Sequence, residues 1–199
     1  MFECFRCLKE NIYCAKLGFR YRLTLNALLN LSGRAMRESF MRQEKLVTSL
    51  TEVAVAVKAA KADAQRMTTL TQYLSRTQAL FADDPIFLAI NSAWKVTDID
   101  VASCCYFPSM TVPIKLSFRS IDADADLIHV IYKIGDDLRQ DQLVMQLIRI
   151  MDKMWQLSNL DLKMVTFTIR QTDVRKGKIN HIQGSHFLVY LRSNQLGLR

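Results

Sequence analysis

An α+β fold is predicted for this chain of 199 residues: a helical segment first, then a lobe made of an antiparallel sheet and one long helix. Two observations predict it. Apolar residues recur at three- and four-residue steps as far as Phe81, the spacing of one helix face. After Asp83-Asp84-Pro85 the pattern changes to alternating, strand-like runs, interrupted by a single long amphipathic stretch from Asp137 to Gln156. Hydrophobic residues make up 50% of the chain, enough for a sizeable core.

In chain order, residues 12–31 place Leu17, Tyr21, Leu25, Leu28 and Leu31 on one helical stripe, which Ser32-Gly33 ends. A second helical stretch runs from Ala35 to about Phe81, as one helix or two in a row. Its first stripe holds Phe40, Val47, Leu50, Ala54 and Val57, and its second Met67, Leu70 and Leu74; both read as helix-packing core. Pro85 closes the helical half, since proline cannot continue a helix and disfavours it in the residue before. Val112 to Arg119 alternates apolar and polar residues as a half-buried strand does, and Leu127 to Lys133 is the next strand. Between them Ile121 to Asp126 reads as a solvated hairpin turn; it lacks the glycine and distal glutamate of a calcium loop. Asp137 to Gln156 carries Leu143, Leu147, Ile150, Met151 and Met154 on one face, with Val144, Ile148 and Trp155 on a second edge, so burial on two sides is expected. Asp137 and Gln140 match a capping box at its start. Leu162 to Ile169, Lys178 to Ile182 and Phe187 to Leu191 read as further strands.

The net charge of +8 invites a polyanion partner, but the basic excess is split between the two ends around an acidic middle. Neither a nucleic-acid motif nor aromatics interleaved with the basic residues is visible, so no nucleic-acid partner is expected. Acidic membrane lipid would serve the same charge. Five cysteines, an odd number in a chain with no secretory pattern, read as reduced thiols; Cys4-x-x-Cys7 has no second pair or nearby histidines to complete a zinc site. No apolar run approaches the roughly 20 residues of a membrane span. The expectation is a cytoplasmic chain with peripheral membrane association.

The chemistry centres on Lys133, which ends an apolar strand on the face of Ile131 and His129, where its ammonium can meet phosphate oxygens. The residues that follow, Gly135-Asp136-Asp137-Leu138-Arg139-Gln140-Asp141, resemble a signature of phosphoinositide 3-kinases, members of the phosphatidylinositol 3-/4-kinase family. The likeness continues through Leu143 to Trp155 and Leu160 to Met164, most closely to the class II enzymes, although Gln142 resembles the class III branch. Upstream, Arg20 to Leu23 and Met41-Arg42-Gln43 are similar to the junction of the family's helical and kinase domains.

This resemblance implies a kinase-like N-lobe behind a helical segment, with the C-lobe absent. It divides the chain into the end of a helical domain (1–34), a helical linker (35–100), the N-lobe to the hinge (101–190) and a divergent tail (191–199). ATP is the implied cofactor, with Mg2+ held elsewhere in a full-length member. Lys133 is implied to contact phosphate, and Ser109, in Tyr106-Phe107-Pro108-Ser109, to lie in the phosphate-covering loop. Asp141 matches the aspartate at the back of the adenine pocket. Its usual tyrosine partner is replaced by Phe167, which fills space but cannot donate a hydrogen bond. Asn180 and Ile182 fall on the hinge that meets adenine through backbone groups. A phosphoinositide membrane lipid is the implied substrate, and regulatory proteins are further implied partners.

Phosphoryl transfer needs carboxylate-held magnesium and a group that orients the attacking hydroxyl. The family carries both beyond the hinge, in an Asp-Arg-His-x-x-Asn loop and an Asp-Phe-Gly motif, whereas here the last aspartate is Asp173 and the last glutamate Glu52. The expectation is therefore a piece of a larger lipid kinase, inactive alone. The alternative is a non-catalytic binding or competing module.

Overall fold

The computed structural model of the chain describes residues 1–134, 139–171 and 186–191. Four helices come first: α1 (Phe2–Asn11), α2 (Gly18–Leu31), α3 (Gly33–Ala59) and α4 (Asp63–Gln78). The stripe expected over 12–31 begins only at Gly18, because the chain folds tightly on itself just before. A Cβ on residue 18 would lie 2.3 Å from the Ile12 carbonyl oxygen, a place that only glycine fits. Gly33, at φ +69°, supplies the left-handed conformation between α2 and α3. The long stretch from Ala35 divides at Ala60, which is extended, and α4 starts at Asp63. Ala59-Ala60-Lys61-Ala62 holds good helix formers, so local propensity does not break it there. The turn lets Val57 of α3 and Leu70 of α4 bury in one cluster.

Among the described residues seven strands follow: β1 (Ile86–Leu88), β2 (Asn91–Ile99), β3 (Cys105–Tyr106), β4 (Ile114–Ser120), β5 (Ile128–Ile134), β6 (Thr168–Gln171) and β7 (His186–Leu191), with α5 (Arg139–Leu157) between β5 and β6. They form one sheet in the order β1-β2-β4-β5-β7-β6, with β3 also on β4 and every pair antiparallel. β1 and β2 lie in the segment read as helical linker, where no strand was anticipated. The strand expected from Leu162 is regular only from Thr168. The segment expected as a strand at 178–182 lies outside the described residues, as does Asp137 of the capping box.

Alternation in β4 and β5 decides the layering. Ile114, Leu116 and Phe118, with Val130, Tyr132 and Ile134, are buried in one cluster with Leu46, Leu50, Val53, Val57, Leu70 and Leu74 of α3 and α4. The Tyr132 and Thr51 hydroxyls meet at 2.6 Å and tie α3 to the middle of the sheet. Gln78 Nε2 donates to the Ile99 carbonyl at 2.9 Å, fixing α4 to β2. A second cluster of Phe2, Phe5, Leu25 and Phe40 docks α1 and α2 on α3, with Phe5 and Phe40 stacked at 5.0 Å.

α5 departs from expectation. Leu143, Leu147, Ile150 and Met154 are all more than half exposed, so burial on two sides does not occur among the described residues. The helix rests on β6 through Met145, which packs with Phe167 against Ile169. No described helix is long and apolar enough to cross a membrane.

Candidate functional site

The same alternation that buries Tyr132 turns its neighbours the other way. His129, Ile131 and Lys133 share the face of β5 opposite α3 and α4, together with Lys115 and Ser117 of β4, paired to Ile131 and His129. β7 and β6 extend one row of this face: Ile131 is opposite Val189, and Val189 opposite Ile169. Since α5 packs on Ile169 through Met145, the helix and Lys133 lie on the same side of the sheet.

Lys133 and the loop of Ser109 lie at the ends of paired strands, β5 and β4. Lys133 is half-buried near the end of β5. Continuing the register one residue past Ile114 and Tyr132 brings Pro113 opposite Lys133, at the point where the β3–β4 loop returns. That loop holds exposed Ser109, whose carbonyl accepts from Val112 N–H at 3.1 Å; Phe107 N–H donates to the Pro113 carbonyl at 2.9 Å. Val112 has φ +44° with its side chain buried. A left-handed conformation is costly for a β-branched residue and persists only where surroundings hold it. At the loop's start, Tyr106 lies under the Arg66 guanidinium at 5.9 Å, and burial and the Asp63 carboxylate raise its pKa.

The adenine-side residues form a second group. Asp141 is exposed in the first turn of α5, one turn before Met145, where its charge suits the helix N-terminus. Phe167 packs with Met145 against Ile169, and its carbonyl accepts from Arg149 Nη2 at 2.6 Å. Asp141 and Phe167 therefore flank the same α5–β6 contact. Gly135 to Leu138, Asn180 and Ile182 lie outside the described residues.

Sequence reasoning missed the polar cluster behind Lys115. Ser117, fully buried, has its hydroxyl 3.1 Å from the Ser103 carbonyl and 3.0 Å from His129 Nδ1. A carbonyl only accepts, so the single Ser117 proton goes there and His129 Nδ1–H donates to Ser117. A serine held in that direction and shut from solvent is no nucleophile. Cys104 beside it has its thiol pushed up to about 11 by burial, so it stays protonated near neutrality. Asp100 is held below its ordinary range by the Ser103 hydroxyl and by Arg119, 2.7 Å away. The parity of Lys115, Ser117 and Arg119 was visible in the alternation, but which residues they would face depended on the pairing. Of the five cysteines, Cys4, Cys7 and Cys14 are exposed and none is bridged.

His129 is depressed below the usual imidazole range, first by burial and then by Lys115, while Asp126 opposes the shift. Lys115→Met is expected to raise the His129 pKa part of the way to its ordinary value, followed by NMR titration of the imidazole. Because the folded pKa is the lower one, the stabilising contribution of neutral His129 is complete above the ordinary value near 6.5 and is lost as pH falls through the folded value. An unchanged titration would mean that the Lys115 ammonium does not face this ring.

An antiparallel sheet with a strand-borne lysine beside a tight loop, and a helix on the same face, defines a lobe like the N-lobe of a kinase. Residues 127–198 match the family described as phosphatidylinositol 3- and 4-kinase. The chain is 37% identical over 182 residues to the phosphatidylinositol 4-phosphate 3-kinase C2 domain-containing subunit beta of Homo sapiens, covering 91% of this chain and 11% of the relative. It is 34% identical over 181 residues to the alpha subunit of the same name from Pongo abelii, with the same two coverages. Against phosphatidylinositol 3-kinase 1 of Dictyostelium discoideum it is 31% identical over 190 residues, 96% of this chain and 12% of that protein. This chain belongs to the phosphatidylinositol 3- and 4-kinase family, a family of lipid kinases, and spans about a ninth of the length of these curated relatives.

Proposed function

We propose that this chain supplies the nucleotide-holding elements of an ATP-dependent phosphatidylinositol 3-kinase, an enzyme that phosphorylates the inositol 3-hydroxyl of a membrane phosphoinositide. The observation that carries the reading is Lys133, half-buried on the face opposite the core and flanked by the returning loop of Ser109. Relatives of this segment bear the names phosphatidylinositol 4-phosphate 3-kinase and phosphatidylinositol 3-kinase.

The residues present fit the phosphate end of a nucleotide. Lys133 supplies a positive charge, and the Ser109 hydroxyl, exposed in the loop, supplies a donor. Asp141 and the Met145, Phe167 and Ile169 contact border the same face, where an adenine would rest on apolar surface. ATP would supply the transferable phosphoryl group. Among the described residues no three His, Cys, Asp or Glu side chains gather. These residues bind and orient, and the chain alone is expected to hold nucleotide without transferring phosphate. Incubation of the 199-residue chain with ATP, Mg2+ and phosphatidylinositol vesicles is expected to give no phosphorylated lipid; measurable product would overturn the inactive reading. In a complete enzyme the setting would be cytoplasmic, at a membrane surface.

A further inference from the structure

We propose that Lys115 is a second phosphate-binding cation of this face, acting with Lys133 so that the face selects nucleotides carrying at least two phosphates. The inference rests on the reading that nucleotide binds at Lys133.

Four observations carry it. Lys115 is paired with Ile131, so Lys133, two residues along β5, is its diagonal neighbour on the same face. Diagonal positions of an antiparallel pair are roughly 7–8 Å apart, within reach of two long side chains that converge on one polyanion. Second, Lys115 is half-buried, and among the described residues its ammonium has no hydrogen-bond or ion-pair partner. The other cations near this edge of the lobe are engaged, Arg119 with Asp100 and Arg66 with Asp63.

Third, the positions around Lys115 on its own face are Cys105 on β3, Ile131 opposite on β5, and His129 and Lys133 on the diagonals. None is a carboxylate. Two lysines and an imidazole thus share one side of the sheet, with Asp126 the carboxylate that acts on the imidazole, and an anion that met both ammonium groups would offset their mutual repulsion. Fourth, the loop that carries Ser109 leaves from β3 and returns into β4 at Pro113, two residues from Lys115, so Lys115 lies on the strand that receives the loop and Lys133 on the strand beside it. A monophosphate presents one anionic group and is satisfied by one lysine and the loop. A diphosphate or triphosphate offers successive charged groups that both lysines can meet, and each charge-assisted hydrogen bond adds to binding.

Isothermal titration of the 199-residue chain with ATP, ADP, AMP and adenosine tests this in the wild type, Lys115→Met, Lys115→Arg and Lys133→Met, with thermal melts to confirm equal folding. Lys115→Met is expected to weaken ATP and ADP about tenfold, leave AMP and adenosine within about twofold, and be largely rescued by Lys115→Arg. The proposal is overturned if Lys115→Met holds ATP as tightly as wild type while Lys133→Met loses it, which leaves the nucleotide reading standing. It is also overturned if adenosine and ATP weaken equally, the mark of a structural role. Wild-type chain that binds no ATP at millimolar concentration removes both the proposal and the reading beneath it.

Discussion

Lys133→Met is expected to weaken ATP binding about 10- to 100-fold. A hydrogen bond between an ammonium and a charged acceptor contributes about 1.5–3 kcal/mol net, and each 1.4 kcal/mol is a factor of ten. Methionine keeps most of the length and the apolar character of the lysine stem and removes the ammonium with its charge and donors. Lys133 is half-buried on the face opposite the main core, so its replacement leaves Tyr132 and Ile134, its buried neighbours in sequence, undisturbed. Stability is therefore expected to change far less than affinity. Titration calorimetry alongside a urea melt separates the two: unaltered affinity in a protein of normal stability would sink the role given to Lys133, and a large loss of stability would make it a structural residue.

Phe118→Ala is expected to cost about 3–5 kcal/mol of folding stability, the range for truncating a buried aromatic. Phe118 is 0% exposed in the middle of the sheet, opposite Ile99 of β2 and Ile128 of β5. Its ring fills the space between strands held by ladder hydrogen bonds and the layer of α3 and α4, neither of which can collapse freely into the void. Against a typical stability of about 5–15 kcal/mol this loss is a large share of the total. Ile121→Ala, at a residue 55% exposed in the connector, is the control and is expected to change stability by no more than about 0.5 kcal/mol. The check is the denaturant midpoint at constant slope. A loss below about 1 kcal/mol at Phe118 would mean that β4 is not the centre of the core.

The expected face of Lys133 was legible because strand parity is local: His129, Ile131 and Lys133 must point together whatever they pair with. The α3 and α4 stripes held for the same reason, with Phe40, Leu50, Ala54, Val57, Leu70 and Leu74 all buried, although Met67 is exposed. α5 shows the limit of such patterns. Its apolar stripe is genuine, yet periodicity states only that a face is apolar, and the neighbours that would cover it are a separate matter. β1 and β2 are not legible locally because Ile86, Phe87 and Leu88 are apolar in a row and Asn91, Ser92, Ala93 and Trp94 give no clean alternation, so what marks β2 as a strand is its pairing with β1 and β4.

By itself the sequence determined the α+β order, the strand carrying Lys133, the helix that begins with Asp141 in its first turn, and the family to which they belong, since each is written in short-range periodicity or in a contiguous motif. Only the tertiary structure decided that Lys115 stands diagonal to Lys133, that Ser117 and His129 close on each other, and that α5 shares their side of the sheet. Those placements follow from strand register, and register is fixed by which residues far apart in the chain bury together.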